Sequence, residues 1–173
     1  MKKWREMIGD ERADQISNTS RSRGTFLHKA VEEYIQNRPI PDHIINNPTV
    51  MNLFKPLKKW LDENVKTVLG SEIPLYSDHL QIAGSCDCFF LLNNGSYSVI
   101  DLKNSRKMKE EEWIKSYFHQ CTLYSMMIEE MYGIHVDDFY VLISGDEGFQ
   151  KFHKSPNEYV DEILELRLPE ISL

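Results

Sequence analysis

GSCDCFFLLNNGSYSVIDLK, residues 84–103, decides how this chain is read. Two apolar runs flank Asn93-Asn94-Gly95-Ser96, and Asn and Gly tolerate the positive φ of a tight turn, so the stretch is predicted to be a β-hairpin. Side chains alternate along a strand, which puts Asp101 and Lys103 on one face and Leu102 in the core. Folding back at the turn brings Asp87 towards Asp101. Two carboxylates and an ammonium among Cys, Phe, Val and Ile are costly to bury without compensation. A divalent cation is the simplest counter-charge.

Working outward, the next segment is helical. Residues 110–132 place Trp113, Tyr117, Gln120, Tyr124, Met127 and Met131 at alternating four- and three-residue spacing, and Gly133 is the stop signal. Trp113, Met127 and Met131 read as core. Gln120 and Tyr124 are neighbours on one face, with polar groups that need partners. Residues 138–144 are a strand buried on both faces, and residues 149–153 a short one. Ser155-Pro156-Asn157-Glu158 carries a capping-box pattern for a last helix.

Upstream of the hairpin, residues 81–92 and 71–76 read as strands. Residues 49–69 read as a helix kinked or divided at Pro56, with Gly70 ending it. In the helix from residue 24, Leu27, Ala30, Val31, Tyr34 and Ile35 form an apolar stripe, and Asn37-Arg38-Pro39-Ile40-Pro41 closes it. His28 stands at the stripe's edge, where a histidine is ordinarily a packed, hydrogen-bonded residue. Residues 11–17 suggest a separate short helix. The order predicts a single α/β domain over residues 1–173, helical over 1–69 and sheet-containing over 70–173, with a central mixed β-sheet flanked by helices.

With 173 residues, 41% of them hydrophobic, the chain can bury one core. The opening MKKWREMIGDERAD has no apolar core region, and no apolar run approaches the roughly 18 residues of a membrane span, so neither a secretory leader nor a membrane partner is expected. Three cysteines make no disulfide set and suit a reducing, cytoplasmic setting. Cys86 and Cys88 read as buried thiols facing away from Asp87. The net charge of −7 conceals basic groups at Arg21, Arg23 and Lys29, at Lys55, Lys58 and Lys59, and at Arg106, Lys107 and Lys109. The acids collect towards the end, at Glu158, Asp161, Glu162, Glu165 and Glu170. A local basic track could follow a polyanion.

Four ordered elements, Arg23-Gly24-Thr25-x-x-His28, Gly84-x-x-Asp87, Asp101-Leu102-Lys103 and Gln120-x-x-x-Tyr124, resemble the PD-(D/E)XK nuclease superfamily in its RecB-like branch. Phage-encoded exonucleases and the mitochondrial genome maintenance exonuclease are similar members, and the opening WREMIGDERADQIS is similar to the lead-in of the phage enzymes. The resemblance implies a restriction-endonuclease-like fold and metal-dependent hydrolysis of DNA. One or two Mg²⁺ or Mn²⁺ ions would be held by Asp87, Asp101 and the Leu102 carbonyl, with His28 as a nitrogen ligand and Glu72 as an outlying candidate. Lys103 would orient or help deprotonate the attacking water, and Gln120 and Tyr124 would brace the site or touch the phosphate. Arg21, Arg23, Lys55, Lys58, Lys59, Arg106, Lys107 and Lys109 become phosphate contacts. The helical region would arch over the site and favour single-stranded DNA with a free end, and a monomer is the simplest assembly. Cys86, Cys88 and Cys121 do not match the iron–sulfur members, so no cluster is expected, and no P-loop is present, so no ATP. Two other readings share these residues: an inactive DNA-end-binding module, and a metal-dependent phosphohydrolase of small nucleotides.

Overall fold

The computed structural model describes Met7 and residues 9–167. Parts of the opening and closing segments, Trp4, Ile8 and Glu170 among them, lie outside the described residues. Helix α1 (Asp10–Ile35) is followed by a short α2 (Asp42–Ile45) and by α3 (Pro48–Asn64). Strands β1 (Val65–Ser77), β2 (Ile82–Leu92) and β3 (Tyr97–Ser105) come next. A 3-10 turn (Glu111–Ile114) leads into α4 (Lys115–Tyr132), then β4 (Asp138–Gly145), β5 (Gly148–Lys154) and α5 (Val160–Arg167). The five strands form one mixed sheet in the order β1-β2-β3-β4-β5. Among the described residues only β3 and β4 pair in parallel, and α4 provides the crossover that a parallel pair requires.

Each face of the sheet carries its own core. Leu27 and Val31 of α1 and Val50, Leu53, Leu57 and Trp60 of α3 cover Phe90, Ile100 and Leu102 on one face. Phe118, Cys121, Met127 and Ile128 of α4 cover Val99, Phe139 and Val141 on the other. The two-sided burial expected of residues 138–144 is present, because β4 lies between the two layers.

Several expectations are corrected. The short helix at residues 11–17 is continuous with α1, since no proline separates them and Gly24 is accommodated within the helix. The helix over residues 49–69 runs unbroken through Pro56 but stops at Asn64. Val65 is already extended, and Val65 and Val68 pair with Leu92 and Phe90. β-Branched residues next to a waiting strand edge gain more from the ladder than from another helical turn. The helical region packs on the sheet as a layer, with Leu27, Ala30 and Val31 buried and Tyr34 and Ile35 half-buried. Trp113 is not core: it is 70% exposed in the 3-10 turn, where the helical spacing of α4 does not yet apply. Cys86 and Cys88 are buried as expected but belong to opposite cores, so the alternation of β2 is broken at Asp87.

Gly145 pairs with Ser105 at the end of β3. A Cβ at Gly145 would come within 2.7 Å of the Ser105 carbonyl oxygen. The obstacle is backbone and cannot rotate away. Gly145→Ala should therefore lower stability by about 1–3 kcal/mol, read as a shift of the urea unfolding midpoint.

Candidate metal centre

The ladder between β2 and β3 ends at the pair Cys88–Ile100. Beyond it the strands part, and the Asp87 side chain enters the gap, where its Oδ2 accepts the Leu102 backbone N–H at 2.7 Å. A carboxylate here replaces a ladder carbonyl, which satisfies the amide and fixes the acid at once. Across β2, Ser71 pairs with Cys88 and Ile73 with Cys86, so Glu72 stands opposite Asp87. Glu72 has φ +48, a left-handed backbone uncommon outside glycine and asparagine.

From the other layer α1 delivers His28. Its Nε2 lies 2.8 Å from the Leu102 carbonyl oxygen, and its Nδ1 lies 3.5 Å from Asp87 and 3.6 Å from Glu72. With the proton on Nε2 donated to Leu102, the Nδ1 lone pair faces two carboxylates. His28, Glu72 and Asp87 bring one ligand atom each within 4.8 Å of one another, a donor set that could hold a metal ion. Burial and the nearby Asp87 charge raise the Glu72 carboxyl above its ordinary range, with His28 opposing.

Asp101 lies on the α4 face of β3 and is almost wholly buried. Its Oδ1 accepts the Lys103 ammonium at 2.6 Å, while Oδ2 is buried with no hydrogen-bond partner. Burial pushes its carboxyl up to about 6, with Lys103 acting against the shift and Asp87 adding to it. A buried carboxylate oxygen without a partner costs on the order of 1–3 kcal/mol or more. A cation beside it would remove that cost, so the residues present fit a divalent ion. Burial alone would lower the Lys103 ammonium, but Asp101, and behind it Asp87, raise it overall. Its Nζ also lies 5.0 Å above the Tyr117 ring.

Gln120 Nε2 donates to the Tyr124 hydroxyl at 2.6 Å, which joins the two polar members of the α4 stripe. Tyr124 lies against Gly84, where a Cβ would come within 2.9 Å of its ring. The Gly84-x-x-Asp87 spacing thus keeps one strand position bare for the tyrosine and loads the other with the acid.

The sequence-selected residues do not all form one group. Glu72, the outlying candidate, sits in the tight cluster, while Asp101 lies outside it, with one oxygen on Lys103 and the other without a partner. The Leu102 carbonyl, expected as a metal ligand, is engaged by His28. Arg23 forks onto Asp146 at 2.6 and 3.2 Å, tying α1 to the β4–β5 turn. Ser20, Arg23, Asn104 and Arg106 line a small recess of about 200 Å³. Lys58 pairs with Asp62 and Lys59 with Glu63, so their charge is locally balanced. Arg21, Lys55, Arg106 and Lys107 are exposed, and Lys109 is half-buried. Sequence spacing had no means of ranking Glu72, because its place opposite Asp87 is set by strand register.

The fold is shared with the crystal structure of a candidate exonuclease from Eubacterium rectale. The TM-score is 0.55 at 11% identity, over 86% of this chain, and the chain spans 66% of the length of that one. The structure of SSO0001 aligns at a TM-score of 0.41 and 13% identity, over 82% of this chain and 74% of that one. No protein-family model matches the chain, and no curated protein matches it by sequence. At such identities the likeness establishes a fold: an α/β domain with a five-stranded mixed sheet flanked by helices. No helix among the described residues is long and apolar enough to cross a membrane.

Metal ligands must be deprotonated, so protons compete with the cation. The raised Asp101 carboxyl sets the window. Ionised Asp101 weakens the metal-free fold, a penalty absent below the unfolded value near 4 and complete above about 6. Mn²⁺ or Mg²⁺ should therefore raise the melting temperature at pH 7.5 and lose that effect by pH 5. Differential scanning fluorimetry with and without EDTA reads it.

Proposed function

We propose that the chain is a metal-dependent DNA exonuclease of the PD-(D/E)XK, RecB-like type. It would hold Mg²⁺ or Mn²⁺ and act on single-stranded DNA with a free end. One observation carries the reading: His28, Glu72 and Asp87 converge where β2 and β3 part, with the partnerless buried oxygen of Asp101 and the Lys103 ammonium on the next strand. Asp101 buried, Asp87 half-buried and Glu72 exposed, brought together from three strands and joined by a histidine from a helix, suit ion binding better than fold stability. The likeness in fold to a candidate exonuclease supports the same class.

His28, Glu72, Asp87 and Asp101 are the residues that would hold the ion. When bound, a divalent cation supplies an activated water at neutral pH and offsets charge on the phosphate. Asp87 is pre-oriented by the Leu102 amide, so it need not reorganise on binding. Lys103 carries its proton firmly, since Asp101 raises it, and this suits stabilisation of negative charge on the phosphate oxygens better than proton abstraction. The Gln120 amide occupies the Tyr124 hydroxyl oxygen as a donor, which leaves the phenolic proton for a phosphate or a water. Arg106 and Lys107, exposed just past the end of β3, suit backbone phosphates on either side of the cleaved linkage.

End-labelled single- and double-stranded DNA, incubated with Mg²⁺, Mn²⁺ or EDTA, tests the reading. Shortening of the single strand with either metal is expected, and EDTA should stop it. Asp87→Asn, Asp101→Asn and Lys103→Ala should each lower the rate by about 100-fold or more. Digestion that continues in EDTA, or in Asp101→Asn, overturns the proposal. DNA retained without release of nucleotides under any metal would mark a binding module. Hydrolysis of mononucleotides with polymers left intact would mark a small-substrate phosphohydrolase.

A further inference from the structure

A recess of about 740 Å³ is lined by α1, α2 and β1. That volume lies within the range of small-ligand sites, and the recess is broadly open to solvent. Thr25, Phe26 and His28 of α1, His43 and Ile44 of α2, and Glu72 of β1 line it. His28 and Glu72 also belong to the metal-binding group, so the recess opens beside the atoms that would face a phosphate. Phe26 and His43 meet edge to face, with ring centres 5.4 Å apart and planes at 71°. Phe26 is only half-buried, and His43 is exposed.

We infer that this recess is the subsite for an unpaired nucleobase, seated against Phe26 and His43, of the nucleotide whose phosphate lies at the His28–Glu72–Asp87 group. The inference rests on the nuclease reading of that group and adds what lies beside the phosphate. Three observations select this occupant. The exposed walls are mainly apolar despite the Lys29–Glu32 ion pair among them, His28 and Glu72 of the lining belong to the metal-binding group, and the Phe26–His43 aromatic pair faces the same recess. A ligand that is flat and apolar at one end and anionic at the other matches that division. A base inside a duplex has both faces covered and its edge paired, so an unpaired nucleotide can turn a face into the recess against Phe26 without breaking base pairs. Preference for a single strand then comes from this recess.

The test uses the full chain with Ca²⁺ and single-stranded oligonucleotides carrying 2-aminopurine at a terminus or in the interior. Terminal probe fluorescence should be quenched on binding. Phe26→Ala should abolish the quench and weaken binding by roughly tenfold, and Phe26→Tyr should restore both. His43→Ala should weaken the quench in part. In Mn²⁺ turnover, Phe26→Ala should raise KM by a similar factor and leave kcat within about twofold. An abasic terminal nucleotide should weaken wild-type binding by that factor and make no difference to Phe26→Ala. Should Phe26→Ala fail to fold, His43→Ala and the abasic comparison in the wild type decide the matter. Wild-type cleavage indifferent to an abasic terminus overturns the subsite and leaves the nuclease reading standing. Quenching at the terminus without cleavage under any metal supports the subsite and overturns the nuclease reading.

Discussion

The hydrogen bond from the Leu102 amide to the Asp87 carboxylate holds the arrangement together. In an unbroken antiparallel ladder that amide would face a carbonyl of β2, and the strands would lie too close for anything to pass between them. Here the ladder stops at Cys88–Ile100, and the side chain of Asp87 takes the carbonyl's place. The sheet thereby acquires an opening that both helical layers can reach. His28 enters from α1 on one side, and Asp101 and Lys103 stand on the α4 side. The break in β2's alternation, which sends Cys86 into one core and Cys88 into the other, is the local consequence.

Charge placement follows from that opening. Asp101 is more deeply buried than any acid not closely paired would tolerate, and Lys103 satisfies only one of its oxygens. Glu72 holds a left-handed backbone to stand opposite Asp87. Both features weaken the metal-free fold, and a cation would offset the charge penalty of Asp101 while the backbone cost at Glu72 stays. The rigid parts lie around them: the apolar contacts of α1 and α3 on one face, those of α4 on the other, and the close approach of Tyr124 to Gly84. A stable scaffold tolerates a strained centre, and stability and site chemistry separate cleanly along the chain.

Much of this is legible in the sequence. The hairpin at Asn93–Ser96, the stop at Gly133, the doubly buried β4 and the pairing of Gln120 with Tyr124 each rest on local signals. The errors share a cause. Residues 65–69 keep a helical spacing, yet Val65 and Val68 had a strand to pair with. Trp113 falls in phase with the α4 stripe, yet the turn that carries it is wound differently and leaves it in solvent. In each case the competing partner lies far away in sequence, where a periodicity cannot see it.

By itself the sequence determined which side chains carry chemistry and on which element each one stands, because turn propensity, strand alternation and helical phase are set by residues a few positions apart. Only the tertiary structure decided which of them meet. Glu72 joins His28 and Asp87 through strand register, Arg23 is drawn to Asp146 across 123 positions, and the Phe26–His43 recess forms from two helices joined by a proline-bearing connector. Contacts of that kind are fixed by how whole layers pack, and packing is a property of the assembled core rather than of any single stretch of chain.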